Sequence, residues 1–165
     1  VAWQHRLSDR LRRLRGQQRR PLPIGEGMIS FVVEGEPVPQ PRPRVTTRGG
    51  FGRAYVPSSH PVHRYRRAVG NAAKAAGVVV TEAAVSVAVT CIMSRPKSHR
   101  TKSGIRKGAP PLPRSDVDNH AKSVLDALTC IAWHDDAQVA ELHVRKIYGD
   151  VGKTEVVIRE LSFRV

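Results

Sequence analysis

Residues 85–93 read Val-Ser-Val-Ala-Val-Thr-Cys-Ile-Met, an alternating, β-branched run with an unambiguous strand pattern. It constrains the fold most, because one strand cannot bury its apolar face without others beside it. Three more segments offer themselves. Residues 29–33 (Ile-Ser-Phe-Val-Val) are β-branched and aromatic, and residues 139–148 and 153–161 alternate around a Gly149–Gly152 turn. Two helices separate these runs. Pro61 suits a first turn, residues 63–76 are dense in Ala, Arg and Lys, and Gly77 is a natural stop. Tyr65, Val69, Ala72, Ala73 and Ala76 make its apolar face, with Arg64, Arg67 and Lys74 pointing away. Residues 117–128 form the second helix, with Val117, Ala121, Val124, Leu125 and Leu128 on one side and Ser115 or Asp116 as N-cap. The order β, α, β, α, β, β predicts an α+β domain, a mixed sheet with two main helices packed on one face.

The connections carry the charge. Lys and Arg outnumber Asp and Glu by 28 to 14, a formal net charge of +14, which is most simply explained by a polyanionic partner. No apolar run approaches the roughly 20 residues of a spanning helix, and no apolar segment follows the basic N-terminus, so membrane and secretory readings are weak. Cys91 and Cys130 lack metal-knuckle spacing and read as reduced thiols of a cytoplasmic protein. Residues 1–27 form a basic N-terminal extension, read as a disordered tail, as a helix adding phosphate contacts, or as sequence upstream of a natural start at Met28. The domain proper is 28–165. Pro37, Pro39, Pro41 and Pro43 impose an extended track that runs into a Gly-rich basic loop. That loop is a plain connector or, through Arg42, Arg44, Arg48 and Arg53, a grip on a phosphate backbone. Residues 94–113 are the longest irregular stretch and carry Arg95, Lys97, Arg100, Lys102, Arg106 and Lys107, with Arg114 just beyond. They read as a mobile DNA clamp, with a solvated linker as the alternative.

Against this basic background, residues 114–139 hold five of the fourteen carboxylates: Asp116, Asp118, Asp126, Asp135 and Asp136. Helix capping accounts for acids at 116 and 118 but not for the doublet beyond the helix. If the strand starting near Val139 brings that doublet back beside the helix N-terminus, three or four carboxylates converge and call for a cation among them. Hard oxygens with no Cys or His cluster indicate Mg²⁺, with Mn²⁺ as a substitute, rather than Zn²⁺. Lys122 reaches the same region as a fixed cation for phosphate or as an ion-pair partner of Asp118 or Asp126.

Arg-x-Asp-x-Asp-Asn-x-x-Lys-x-x-x-Asp-Ala-Leu followed by Asp-Asp-x-Gln-Val resembles the RusA family of Holliday junction resolvases, as does the Pro-Val-Pro-x-Pro-Arg-Pro-Arg segment. The resemblance implies a homodimeric, Mg²⁺-dependent endodeoxyribonuclease of phage or prophage type. Such an enzyme resolves four-way DNA junctions by paired nicks in a bacterial or phage-infected cytoplasm. Carried across by motif position, Asp116, Asp118 and Asp136 are the metal-binding catalytic acids, Asp135 a further candidate ligand, and Lys122 the catalytic cation. Two positions depart from the family pattern: His120 stands where an aliphatic residue is usual, and Thr129-Cys130 replaces a frequent Asn-Gly. Other functions compatible with the residues are a non-catalytic nucleic-acid-binding protein, or a same-fold nuclease preferring flaps or other branched DNA.

Overall fold

In the computed structural model, which describes residues 27–47 and 49–162, the central strand is β4 (Ala84–Ser94). Its alternation is expressed fully: Val85, Val87, Val89, Cys91 and Met93 are buried, and the residues between them are half-exposed. β8 (Lys153–Leu161) lies antiparallel on one side of it, and β1 (Met28–Glu34) is antiparallel to β8. β7 (Val139–Gly149) lies parallel on the other side, giving the order β1-β8-β4-β7. The sheet is therefore mixed, with β7 on its outer edge. At the turn between β7 and β8, a side chain at Gly149 would meet Ile92 and one at Gly152 would meet Glu36.

Helix α1 (Pro61–Ala75) and helix α2 (Val117–Leu128) pack together on the face of the sheet that carries the odd-numbered β4 residues. Tyr65, Val69 and Ala73 from α1 and Val124, Ala127 and Leu128 from α2 join Val85, Val87, Val89, Val156 and Trp133 in one core. Ala76 is the exposed C-cap of α1 rather than part of its apolar face. Inside the core the Tyr65 hydroxyl lies 2.7 Å from the buried Thr154 hydroxyl, so neither is left without a partner. Between the helices, Arg66 donates to the Asp126 carboxylate and to the Gln40 side chain.

The connections differ from the sequence reading in two places. The basic loop after the proline track is a small antiparallel hairpin of β2 (Arg44–Thr46) and β3 (Arg53–Tyr55). Residues 94–113 are not one structureless loop. They contain a 3-10 turn at Lys97–His99 and a hairpin of β5 (Arg100–Thr101) and β6 (Gly104–Ile105). The Arg95 guanidinium sits 4.3 Å from the centre of the Tyr148 ring and donates to the Pro110 carbonyl at 3.2 Å, and His99 meets the same ring edge-on. Arg100 pairs with Asp150 at 3.0 Å. The expected mobile clamp is thus a segment tied to the end of β7, and Arg95 is spent on holding it there.

After α2 the chain turns through Cys130, whose φ of 63° is the one positive value among the described non-glycine residues. The departure from Asn-Gly therefore falls on a left-handed position. A side chain there costs roughly 1–2 kcal/mol, partly offset by the chain entropy that glycine adds to the unfolded state. Cys130→Gly should raise stability by about 0.5–1 kcal/mol, read as a shift of the urea midpoint at unchanged slope.

Candidate active site

Helix α2 and strand β7 run antiparallel across the open side of the sheet, with a groove between them. Val117, Asp118, Ala121, Lys122, Leu125, Asp136, Leu142 and Val144 line it, enclosing about 480 Å³. Val117 is 38% and Leu142 43% exposed, so the apolar floor of the groove is open to solvent in the single chain. Asp116, Asp118, Asp135 and Asp136 are all exposed. Lys122 leans on Asp126 at 3.7 Å while its side chain stays 63% exposed, which favours Asp126 over Asp118 as its ion-pair partner.

The two groups of acids are built by different ends of α2. Asp116 occupies the N-cap position but makes no side-chain cap bond; Asn119 Nδ2 lies 3.5 Å from its carboxylate. Its neighbour Ser115 is held twice. The Ser115 hydroxyl lies 2.8 Å from His120 Nε2, and Lys146 of β7 donates to the Ser115 carbonyl. His120, expected near the edge of the apolar face, is instead fully buried. Burial, aided by the Lys146 charge, pushes its pKa down to about 4, so the imidazole under the acidic loop is neutral.

Asp136 is oriented from the opposite end. Its Oδ1 accepts a hydrogen bond from the buried Trp133 indole at 3.1 Å. The Thr129 hydroxyl, at the C-cap of α2, lies 2.8 Å from the same oxygen and 3.1 Å from the Leu125 carbonyl. The turn carrying Asp136 is a 3-10 segment (Asp136–Gln138) closed by a capping box: Asp135 accepts from Ala137 N, and Gln138 accepts from Asp135 N. Gln138 also donates to the carbonyls of Thr81 and Ala83, fastening the turn to the start of β4. Asp135 is thereby a capping group with a defined structural job.

This geometry corrects the expected convergence. Thr129 lies eleven residues beyond Asp118, about 16 Å along a helix at 1.5 Å per residue. A strand parallel to β4 must start at the far end of the helix that crosses back, so Asp136 returns beside the C-terminus of α2 and not its N-terminus. Among the described residues no three His, Cys, Asp or Glu side chains stand together as a metal site. The donor chemistry, all carboxylate oxygen, fits a hard divalent ion; within one chain the donors lie at opposite ends of one groove.

The cationic residues named from the sequence fall into three groups. Arg42, Arg44, Arg53, Lys97, Lys102, Arg106, Lys107 and Arg114 are exposed. Arg95 and Arg100 are engaged as described above. Arg48 and residues 1–26 lie outside the described residues. The sequence reading missed Thr129, Trp133 and Lys146. For Gln138 a signal existed, since Asp-x-x-Gln is a capping-box pattern.

Asp118, Lys122 and Asp136 on an otherwise apolar groove, in a strongly basic α+β chain, fit the class of enzymes acting on polyanions. The profile of the family described as Endodeoxyribonuclease RusA matches residues 34–159. The chain is also 35% identical over 141 residues to the Uncharacterized protein YqaN of Bacillus subtilis (strain 168), an alignment spanning 81% of this chain and 97% of that protein. The chain belongs to the RusA endodeoxyribonuclease family and is a nuclease by that membership. No helix among the described residues is long and apolar enough to cross a membrane.

Proposed function

We propose that this nuclease is a Mg²⁺-dependent, structure-selective endodeoxyribonuclease that resolves four-way DNA junctions by paired nicks, acting as a homodimer. The observation that carries the reading is the groove itself. It holds hard-oxygen ligands and a largely exposed cation, Lys122, whose ion pair with Asp126 is long, inside a chain of net charge +14. A divalent ion bound by these carboxylates would activate water for attack on phosphorus and offset charge on the leaving oxygen. The chain's own residues do the rest. Thr129 and Trp133 fix the carboxylate of Asp136, the Ser115 contacts fix the loop of Asp116, and Lys122 offers its ammonium to the phosphate.

The split donor set supports the dimer. β7 is an edge strand whose outer backbone is unpaired among the described residues. Antiparallel pairing of two copies about His143 sets Glu141 opposite Arg145 and Leu142 opposite Val144, matching charge to charge and apolar to apolar. The same two-fold carries Asp136 of one copy toward Asp116 and Asp118 of the other and covers the apolar groove floor. Each catalytic centre is then shared between subunits, and two such centres suit the two opposing strands of a four-way junction.

The direct test is incubation of an end-labelled four-way junction with the protein in Mg²⁺ and in chelator, alongside flap and linear substrates. Symmetric nicks in the junction that require Mg²⁺ are expected. Metal-independent binding without scission would mean a binding protein instead, and preferential flap cleavage would move the substrate. Thr129→Val removes one of the two donors to Asp136 and should lower activity at limiting Mg²⁺ by about 10-fold or more, with a smaller loss at saturating Mg²⁺.

A further inference from the structure

The β2–β3 hairpin is the part of the molecule that the proposed chemistry leaves unused. Phe51, at its tip, is 78% exposed, and Val45 and Tyr55 are 73% and 45% exposed. Isolated apolar side chains on a surface are ordinary. This tip is different in its surroundings. Phe51 is flanked by Gly49, Gly50 and Gly52, and a Cβ built on any of the three would meet no atom within 4 Å. The tip therefore stands clear of the described body of the protein.

The pairing Arg44↔Tyr55 and Thr46↔Arg53 puts Arg44, Arg53 and Tyr55 on one face of the hairpin. From residue 37 to residue 81 the chain contains no Asp or Glu at all, against eight Arg or Lys. The hairpin is also anchored next to the candidate site. Gln40 N donates to the Asn119 carbonyl of α2 at 2.8 Å, one residue from Asp118, and the Gln40 side chain accepts from Arg66. Strand β2 is only three residues long, about 10 Å, or about three base-pair steps, before the chain turns with Gly50 N donating to the Thr47 carbonyl.

We infer that Phe51 is a nucleobase-stacking tip: the hairpin follows the phosphate backbone with Arg44 and Arg53 and lays the Phe51 ring against an unstacked base at the branch point. This rests on the branched-DNA reading above. An aromatic ring with basic neighbours is the pairing that single-stranded and unstacked nucleotides require, because every base offers a π-face and every nucleotide a phosphate. A linear duplex keeps its bases stacked and offers the ring nothing, so the tip discriminates branched from linear DNA. Arg44 and Arg53 add affinity to both without distinguishing them.

The test compares wild type, Phe51→Ala, Phe51→Tyr and Arg44→Ala in Ca²⁺ in place of Mg²⁺, with 2-aminopurine at the crossover of a four-way junction or in the middle of one arm. Wild type should change the crossover fluorescence and leave the arm probe unaltered. Phe51→Ala should lose that change and bind the junction about 5- to 100-fold more weakly, with linear-duplex affinity unchanged; Phe51→Tyr should restore both. Arg44→Ala should weaken binding to both DNAs and reduce the salt slope by about one, which Phe51→Ala leaves intact. Thermal melts of all variants should coincide, since the ring touches no core residue. Equal affinity of Phe51→Ala and wild type for the junction overturns the inference, as does an equal loss on linear duplex. Cleavage of the same junction in Mg²⁺ separates the two levels. A wild type that cuts junctions while Phe51→Ala binds normally refutes only the stacking role. A wild type that neither binds nor cuts branched DNA refutes the underlying function and the stacking role with it.

Discussion

Asp118→Asn and Asp136→Asn proteins, each inactive alone, should regain strand scission when co-expressed or refolded together. Each single change removes a charged oxygen from the proposed cation site and should lower cleavage by at least about 10³-fold, several kcal/mol of transition-state stabilisation. Asparagine keeps an acceptor at Oδ1, so Asp136→Asn retains the hydrogen bonds from Thr129 and Trp133 and tests charge rather than packing. If each centre takes Asp118 from one subunit and Asp136 from the other, a mixed dimer has one centre with both carboxylates missing and one intact. Random assortment makes half the dimers mixed, so total nicking should recover to about one quarter of wild type. The products should be nicked junctions rather than resolved duplexes, because one working centre cuts one strand. Gel separation of nicked from resolved species, with light scattering for the dimer, makes the measurement. A mixture as inactive as its parents would mean that each chain uses its own acids, and the shared-site arrangement would have to be abandoned.

The reason for that experiment is also where sequence reasoning reached its limit. Strands β4 and β8 and both helices were legible because burial follows period: Val85, Val87 and Val89 alternate, and Tyr65, Val69 and Ala73 recur at helical spacing. The same periodicity identified α2 and the acids at its ends. It did not reveal how those ends lie relative to the next strand. That depends on β7 being parallel to β4, a pairing decided by which edge of the sheet is free after β8 takes the other. Residues 94–113 resisted for another reason. Their order comes from Tyr148, more than forty residues away, which supplies a ring face to Arg95 and a ring edge to His99. Cys130 shows the opposite case: the replacement of Asn-Gly by Thr129-Cys130 marked the position, but a cysteine does not by itself announce the left-handed backbone that the turn between α2 and Trp133 imposes.

His120 links the fold to the candidate site, and its expected consequence is acid sensitivity. In the unfolded chain the imidazole titrates at its ordinary value of about 6.5; in the fold, desolvation and the nearby Lys146 lower it to about 4. Between these values the unfolded chain binds a proton that the folded one excludes. The stabilising contribution of the neutral imidazole is therefore complete above pH 6.5, drains away as pH falls toward 4, and changes no further below that. Going from pH 7.5 to pH 4.5 should cost wild type about 2–3 kcal/mol through this group alone. His120→Leu places an aliphatic side chain in the same buried position and removes the titration while losing the contact with Ser115. Urea unfolding at the two pH values should show wild type losing about 2–3 kcal/mol more than the variant, since all other titrating groups are common to both. Equal losses would show that His120 is solvated or protonated in the fold. Because that histidine bonds the residue immediately before Asp116, acid should also release the acidic loop before the sheet unfolds, with β8 and β4 amides still protected from exchange when those of residues 115–120 are not.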